Sequence, residues 1–155
     1  MNLQDLKKPI PCKWKPQAVK NGKAICVAYI DSRQCQEMLD EVCGPENWQS
    51  RHKEEKGNLF CEVGIRIDGE WIWKSDVGSE SNIEKEKGEA SDSFKRACVM
   101  WGIGRFLYDM DPFVLKSGKH TNGKEYPYCP EKKELIFDNL TLTRYINWLK
   151  DEQNR

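Results

Sequence analysis

The chain has 155 residues, 32% charged and 38% hydrophobic, with 25 basic and 25 acidic side chains and a net charge of zero. That is the balance of one soluble globular domain spanning residues 1–155, and it excludes a chain that is basic throughout. No apolar run approaches the roughly 20 residues of a membrane span, and the opening Met-Asn-Leu-Gln-Asp is no secretory signal.

In chain order, a short helix is expected near residues 2–8. "KWKPQAVK-NG-KAICVAYI" reads as a β-hairpin, because Asn21-Gly22 suits a type I′ turn between strand-like flanks. Pro16 cannot donate to a ladder, so its strand should have an edge or a bulge there. "DSRQCQEMLDEVCG" is a helix capped by Asp31 or Ser32, with Cys35, Met38, Leu39 and Val42 as its stripe and Gly44 as its stop. Three strands follow, "NWQSRHKEE", "NLFCEVGIRI" and "EWIWKSDVG", with turns at 56–58 and at Asp68-Gly69, and then a polar loop at 78–86. Next, "GEASDSFKRACVMWGIGRFLYDM" reads as one helix from Gly88 to Met110. An extended piece at "FVLK", a Gly/Lys/Tyr/Pro-rich loop over 117–130 and a last helix over about 141–152 complete the chain. The fold class is thus α+β: an antiparallel sheet of hairpin and meander strands covered by the long helix, with the core over about 13–114.

Within the long helix, Phe94, Ala97, Cys98, Trp101 and Tyr108 share one stripe, which should meet the sheet. Lys95 and Arg96 lie about 100° and 200° from Phe94 and so leave that stripe. Val99, Met100 and Ile103 also lie off it, which makes the outer side apolar as well as basic and suggests a subunit interface. In the meander, a two-residue turn at Asp68-Gly69 pairs Ile65 with Ile72 toward the core, and Arg66 with Trp71 and Gly64 with Trp73 on the other face. Arginine beside two tryptophans resembles the basic and aromatic surface that single strands favour. Trp71 and Trp73 can equally bury against a neighbouring subunit or the chain's own termini, and packing is the preferred reading. Lys74, between Trp73 and Ser75, joins the candidate cations.

Charge is unevenly distributed. Residues 1–24 carry Lys7, Lys8, Lys13, Lys15, Lys20 and Lys23 against Asp5 alone, whereas 31–46 carry five acids against Arg33. A chain polarised in this way can be basic in one groove. The seven cysteines are odd in number and form no Cys-x-x-Cys, as expected of reduced core thiols in a cytosolic protein. His52 and His120 are too few and too scattered for a zinc site or a catalytic triad. Glu54-x-Lys56 and Glu131-x-Lys133 have a nuclease-like spacing without a paired acid on a buried strand, and Gly102-x-Gly104 follows a helix, unlike a phosphate loop. No enzyme, metal or cofactor is expected.

"GEASDSFKRACVMWGIGRFLY", preceded by "SDVG" and by "YIDSRQCQEMLDEVCGPENW", resembles the Rad52/Rad22 family of DNA repair proteins over roughly residues 24–114. The resemblance implies a β-β-β-α core, assembly into homo-oligomeric rings or filaments, and annealing of complementary single-stranded DNA without ATP. Carried over, Lys95 and Arg96 match the Lys-Arg pair lining the DNA groove. Arg33 stands beside the family's groove arginine, whose own position holds Gln34. Val99 stands where eukaryotic members have a third basic residue, and Arg105 either replaces that residue or anchors the helix end. Arg66, Lys74, Lys20 and Lys23 complete the expected DNA-binding set. A counterpart of the long recombinase-contacting tail of eukaryotic members is not expected after this core. A single-strand-binding protein or an exonuclease is a further expected partner. The expected setting is the cytoplasm of a bacterium or phage-infected cell, at the nucleoid. The alternatives are a monomeric module that binds duplex RNA or DNA, and a ring that protects DNA ends without annealing.

Overall fold

The computed structural model of the chain describes residues 1–78 and 85–154, and the side chains of all of these except 85–87. Of the polar loop expected at 78–86, residues 79–84 lie outside the described residues, and 85 and 86 already belong to the helix that follows. The elements are β1 (Lys13–Lys20), β2 (Lys23–Tyr29), α1 (Ser32–Cys43), β3 (Trp48–Glu55), β4 (Asn58–Ile67), β5 (Glu70–Val77), α2 (Lys85–Trp101), β6 (Phe113–Lys119), β7 (Glu125–Cys129), β8 (Glu134–Leu135) and α3 (Asn139–Gln153). Short 3-10 turns precede β1, join α1 to β3 and follow α2. The α+β class with antiparallel pairing is as expected. The strands, however, form two sheets rather than one, in the orders β1-β2-β6-β7-β8 and β3-β4-β5.

The chain divides into two compact units, one made of Met1–Ile10 with Ile30–Tyr108 and the other of Pro11–Tyr29 with Asp109–Arg155. In the first unit, α2 packs on β4 and β5. Cys61, Val63 and Ile65 alternate along β4 toward the helix and are fully buried against a core that includes Phe94, Ala97, Cys98 and Trp101. The indole of Trp101 donates to the Val63 carbonyl at 2.9 Å. Helix α1 starts at a capping box: Asp31 accepts from the Gln34 amide and Gln34 accepts from the Asp31 amide, both at 2.9 Å. Cys35, Met38, Leu39 and Cys43 are its buried residues; Val42, expected in that set, is only half-buried.

The long helix is shorter at its far end than its pattern suggests. The Gly102 amide donates to Val99 at 2.9 Å and the Ile103 amide to Cys98 at 3.1 Å, with Gly102 at φ 111°. This is a Schellman stop, and the conformation needs the glycine. Two expectations fall with it. Ile103 folds back into the core, 1% exposed, so it is not an outward-facing interface residue. Tyr108, expected on the buried stripe, sits in the following 3-10 turn and is 78% exposed. The meander register is as expected, with Ile65 opposite Ile72. Ile72 is nonetheless 42% exposed, while Ile65 is fully buried.

In the second unit, the hairpin turn has Asn21 at φ 54° and Gly22 at φ 79°, and the register slips between Pro16 and Ala18 on an edge strand, as the sequence implies. The segment 117–130 is not a loop. β6 runs to Lys119 and pairs with β7, Ser117 opposite Pro127 and Lys119 opposite Glu125. Helix α3 is capped by Asp138, which accepts from the Thr141 amide at 2.7 Å, and it closes a core of Trp14, Cys26, Leu115, Ile136, Leu142 and Ile146. All seven cysteines are free thiols, and all but Cys12 are buried.

Candidate nucleic-acid interface

The surface of α2 that faces away from the sheet carries Lys95 and Arg96, the first half-buried and the second exposed, beside the buried Phe94 and Ala97. They diverge. The Arg96 Nε donates to Asp92 at 2.9 Å, an i,i+4 pair that strengthens its hold on the proton, with weaker contributions from Asp76 and Tyr108 on the β5 side. Lys95 leans the other way, toward α1. The Cys35 thiol lies below its ordinary range, first because it takes a hydrogen bond from Cys98 and then, against burial, because Lys95 favours the thiolate. The same contact pushes the Cys98 thiol up. Ser32 and Ser91 share a hydrogen bond of 2.7 Å, which fixes the start of α1 against α2. Arg33, the next residue of α1, is exposed. Among the described residues Lys95 makes no ion pair.

The far end of α2 gathers two more of the expected cations. Arg105 donates through Nε to the Val99 carbonyl at 2.9 Å and through its terminal nitrogen to that of Met100 at 2.8 Å. The Lys74 ammonium lies 3.5 Å from the same Met100 carbonyl and 4.6 Å from the Trp101 ring centroid. Both cations therefore complement the carbonyl end of the helix dipole. Arg105 anchors the helix end, one of the two roles its motif allows. Met100, 44% exposed, and half-buried Val99 remain on the outer surface as expected.

Arg66 is not brought to this surface. It projects from the opposite face of the β3-β4-β5 sheet with both tryptophans. Trp71 and Trp73 stack at 6.2 Å between centroids, 30° between planes. The Arg66 guanidinium lies 5.7 Å from the Trp71 ring and is held by the Asn47 carbonyl oxygen at 3.0 and 2.7 Å. Sequence reading missed Arg51, whose guanidinium is 3.8 Å from the Trp73 centroid and bonded to Glu62 at 2.9 and 2.8 Å. The signal was available: the tight turn at Lys56-Gly57 places Arg51 opposite Glu62, and hence on the face of Gly64 and Arg66.

Lys20 and Lys23 belong to the second unit, opposite each other across the hairpin, and Lys23 is in turn opposite Lys116 of β6. Direct cross-strand neighbours share a face, so three exposed lysines stand in one row. Lys116 was missed because the "FVLK" strand has no short-range partner. Among the described residues no group of three or more His, Cys, Asp or Glu side chains could hold a metal, and no helix is long and apolar enough to cross a membrane.

Sequence comparison places the chain among known proteins. Residues 1–125 match the family described as Rad52/22 family double-strand break repair protein. The "single-stranded DNA-binding protein DdrA" of Deinococcus radiodurans is 34% identical over 121 aligned positions, which cover 71% of this chain and 58% of that protein. The protein of the same name from Deinococcus deserti is also 34% identical over 121 positions, covering 71% of this chain and 60% of its own length. The chain thus spans about three fifths of the length of these relatives. No solved structure matches.

Proposed function

The chain belongs to the Rad52/22 family, and from that premise we propose that it binds single-stranded DNA and anneals complementary strands in break repair, as a non-catalytic homo-oligomer that needs neither ATP nor metal. The observation that carries this reading is the cationic surface of α2. Lys95 and Arg96 diverge from one helical turn, Arg33 is exposed at the start of α1, whose neighbouring Ser32 bonds to Ser91 of α2, and none of the three is part of the core. The names of the Deinococcus relatives support the same ligand.

The mechanism is electrostatic and geometric. Lys95, Arg96 and Arg33 hold the phosphate backbone of one strand, with counterion release as the driving term. Cancelling that charge removes the repulsion that slows a second strand, which then samples register and pairs. Lys20 and Lys23, joined by Lys116, add a row of positive charge. Arg105 and Lys74 act chiefly by ordering the end of α2. Val99 and Met100 form part of the contact between copies, and the setting is the bacterial cytoplasm. A strand-annealing assay in chelator, without nucleotide, tests the reading: complementary oligonucleotides should pair faster with the protein than without it. A strict ATP requirement, strand cleavage with magnesium, or a preference for duplex over single strands overturns it.

A further inference from the structure

We infer that the sheet face turned away from α2 is a base-stacking surface, on which unpaired nucleobases pack against Trp71 and the guanidinium planes beside it. The inference rests on the single-strand reading above and extends it to a part of the molecule that the backbone-binding pair does not reach. Arg51, Trp73, Trp71 and Arg66 form a continuous row of planar groups, joined by contacts of 3.8, 6.2 and 5.7 Å. Each end is locked, Arg51 by Glu62 and Arg66 by Asn47. Gly64 makes the row possible. A Cβ built there would stand 2.8 Å from the Trp73 ring, so the indole lies directly on the backbone of β4. The planes are therefore fixed before any ligand arrives, and Trp71 remains 37% exposed.

Single-stranded nucleic acid fits this face better than a second copy of the chain. The core of a protein interface is depleted of charge and needs broad apolar area. Here the two indoles stand among Gln49, Arg51, Lys53, Glu62 and Arg66, with half-buried Phe60 and Val77 farther along the same face, and among the described residues Arg66 is held by an amide rather than a carboxylate. Bases need only π faces and nearby cations, and every base offers a face, so the surface reads no sequence. Because α2 packs on the opposite side of the sheet, the segment stacked here is separate from that held at Lys95 and Arg96.

The test uses oligothymidylate and an abasic oligonucleotide of equal length, titrated with the wild-type chain, Trp71→Leu, Trp71→Phe and a Lys95→Ala/Arg96→Ala double variant. Wild type should prefer the thymidylate. Trp71→Leu should lose roughly 5- to 150-fold on thymidylate, the equivalent of one stacked base, and nothing on the abasic strand. Trp71→Phe should restore most of the loss, and neither change should alter circular dichroism or mass in solution. If Trp71→Leu binds thymidylate like wild type while the double variant is weakened, the stacking surface is wrong and the single-strand reading stands. If Trp71→Leu changes the oligomer mass, the face is an interface between copies and the inference is overturned. If wild type binds neither strand, the single-strand reading fails and takes this inference with it.

Discussion

Gly64 and Trp73 show how one residue without a side chain shapes a surface. Gly64→Ala puts a methyl group where three ring carbons already lie, at 2.8 to 2.9 Å. We expect a loss of about 1–3 kcal/mol by overpacking, read as a lower denaturation midpoint, together with altered tryptophan fluorescence as the indole swings off the strand. The pairing of Trp73 with Gly64 and of Trp71 with Arg66 was legible in the sequence, because a two-residue turn dictates register. What lies over Trp73 needed the second turn as well: the one at Lys56-Gly57 sets Arg51 of β3 opposite Glu62 and so on the same face.

The ends of elements carry most of the difference between sequence and structure. The start of α1 was readable, because Asp31 and Gln34 form a box that spacing alone identifies. The end of α2 was not: an apolar periodicity that continues to Tyr108 competes with Gly102, and the Schellman geometry wins. The β6–β7 hairpin was hidden because glycine, proline and lysine mask the strand pattern of 117–130, although its pairing is local, Ser117 with Pro127 and Lys119 with Glu125. Arg105→Ala tests the assigned role at the end of α2. It removes two charge-assisted bonds from an exposed guanidinium, so the cost should be about 1 kcal/mol in thermal or chemical denaturation. The salt dependence of DNA binding should be unchanged, which a phosphate-binding arginine would not allow.

Across the whole molecule, buried thiols couple stability to alkaline pH in both units. Burial pushes Cys61 in the first unit and Cys26 in the second up to about 11, from an ordinary 9.0. A raised folded-state value means that the unfolded chain loses its proton first. The associated stability is complete below pH 9 and falls as pH rises toward 11. Each thiol should account for a loss of about 2–3 kcal/mol by the top of that range, and alanine at either site should flatten the decline in a denaturation series across it. The proposed assembly also belongs to this scale. Met100 and Val99 lie on the outer surface of α2, so light scattering should find a species well above a dimer at low salt, and Met100→Asp should reduce its mass. An 18.1 kDa monomer for wild type would contradict the assembly.

The central claim is that Lys95 and Arg96 hold single-stranded DNA by its phosphates, and salt dependence measures this most directly. Each such contact on a single strand contributes about −0.7 to the log–log slope of affinity against salt. Replacing both residues with alanine should therefore make the slope shallower by about 1.4, lower affinity for all sequences alike, and leave circular dichroism and oligomer mass unchanged. A folded, assembled double variant that binds single strands with the wild-type slope would contradict the account.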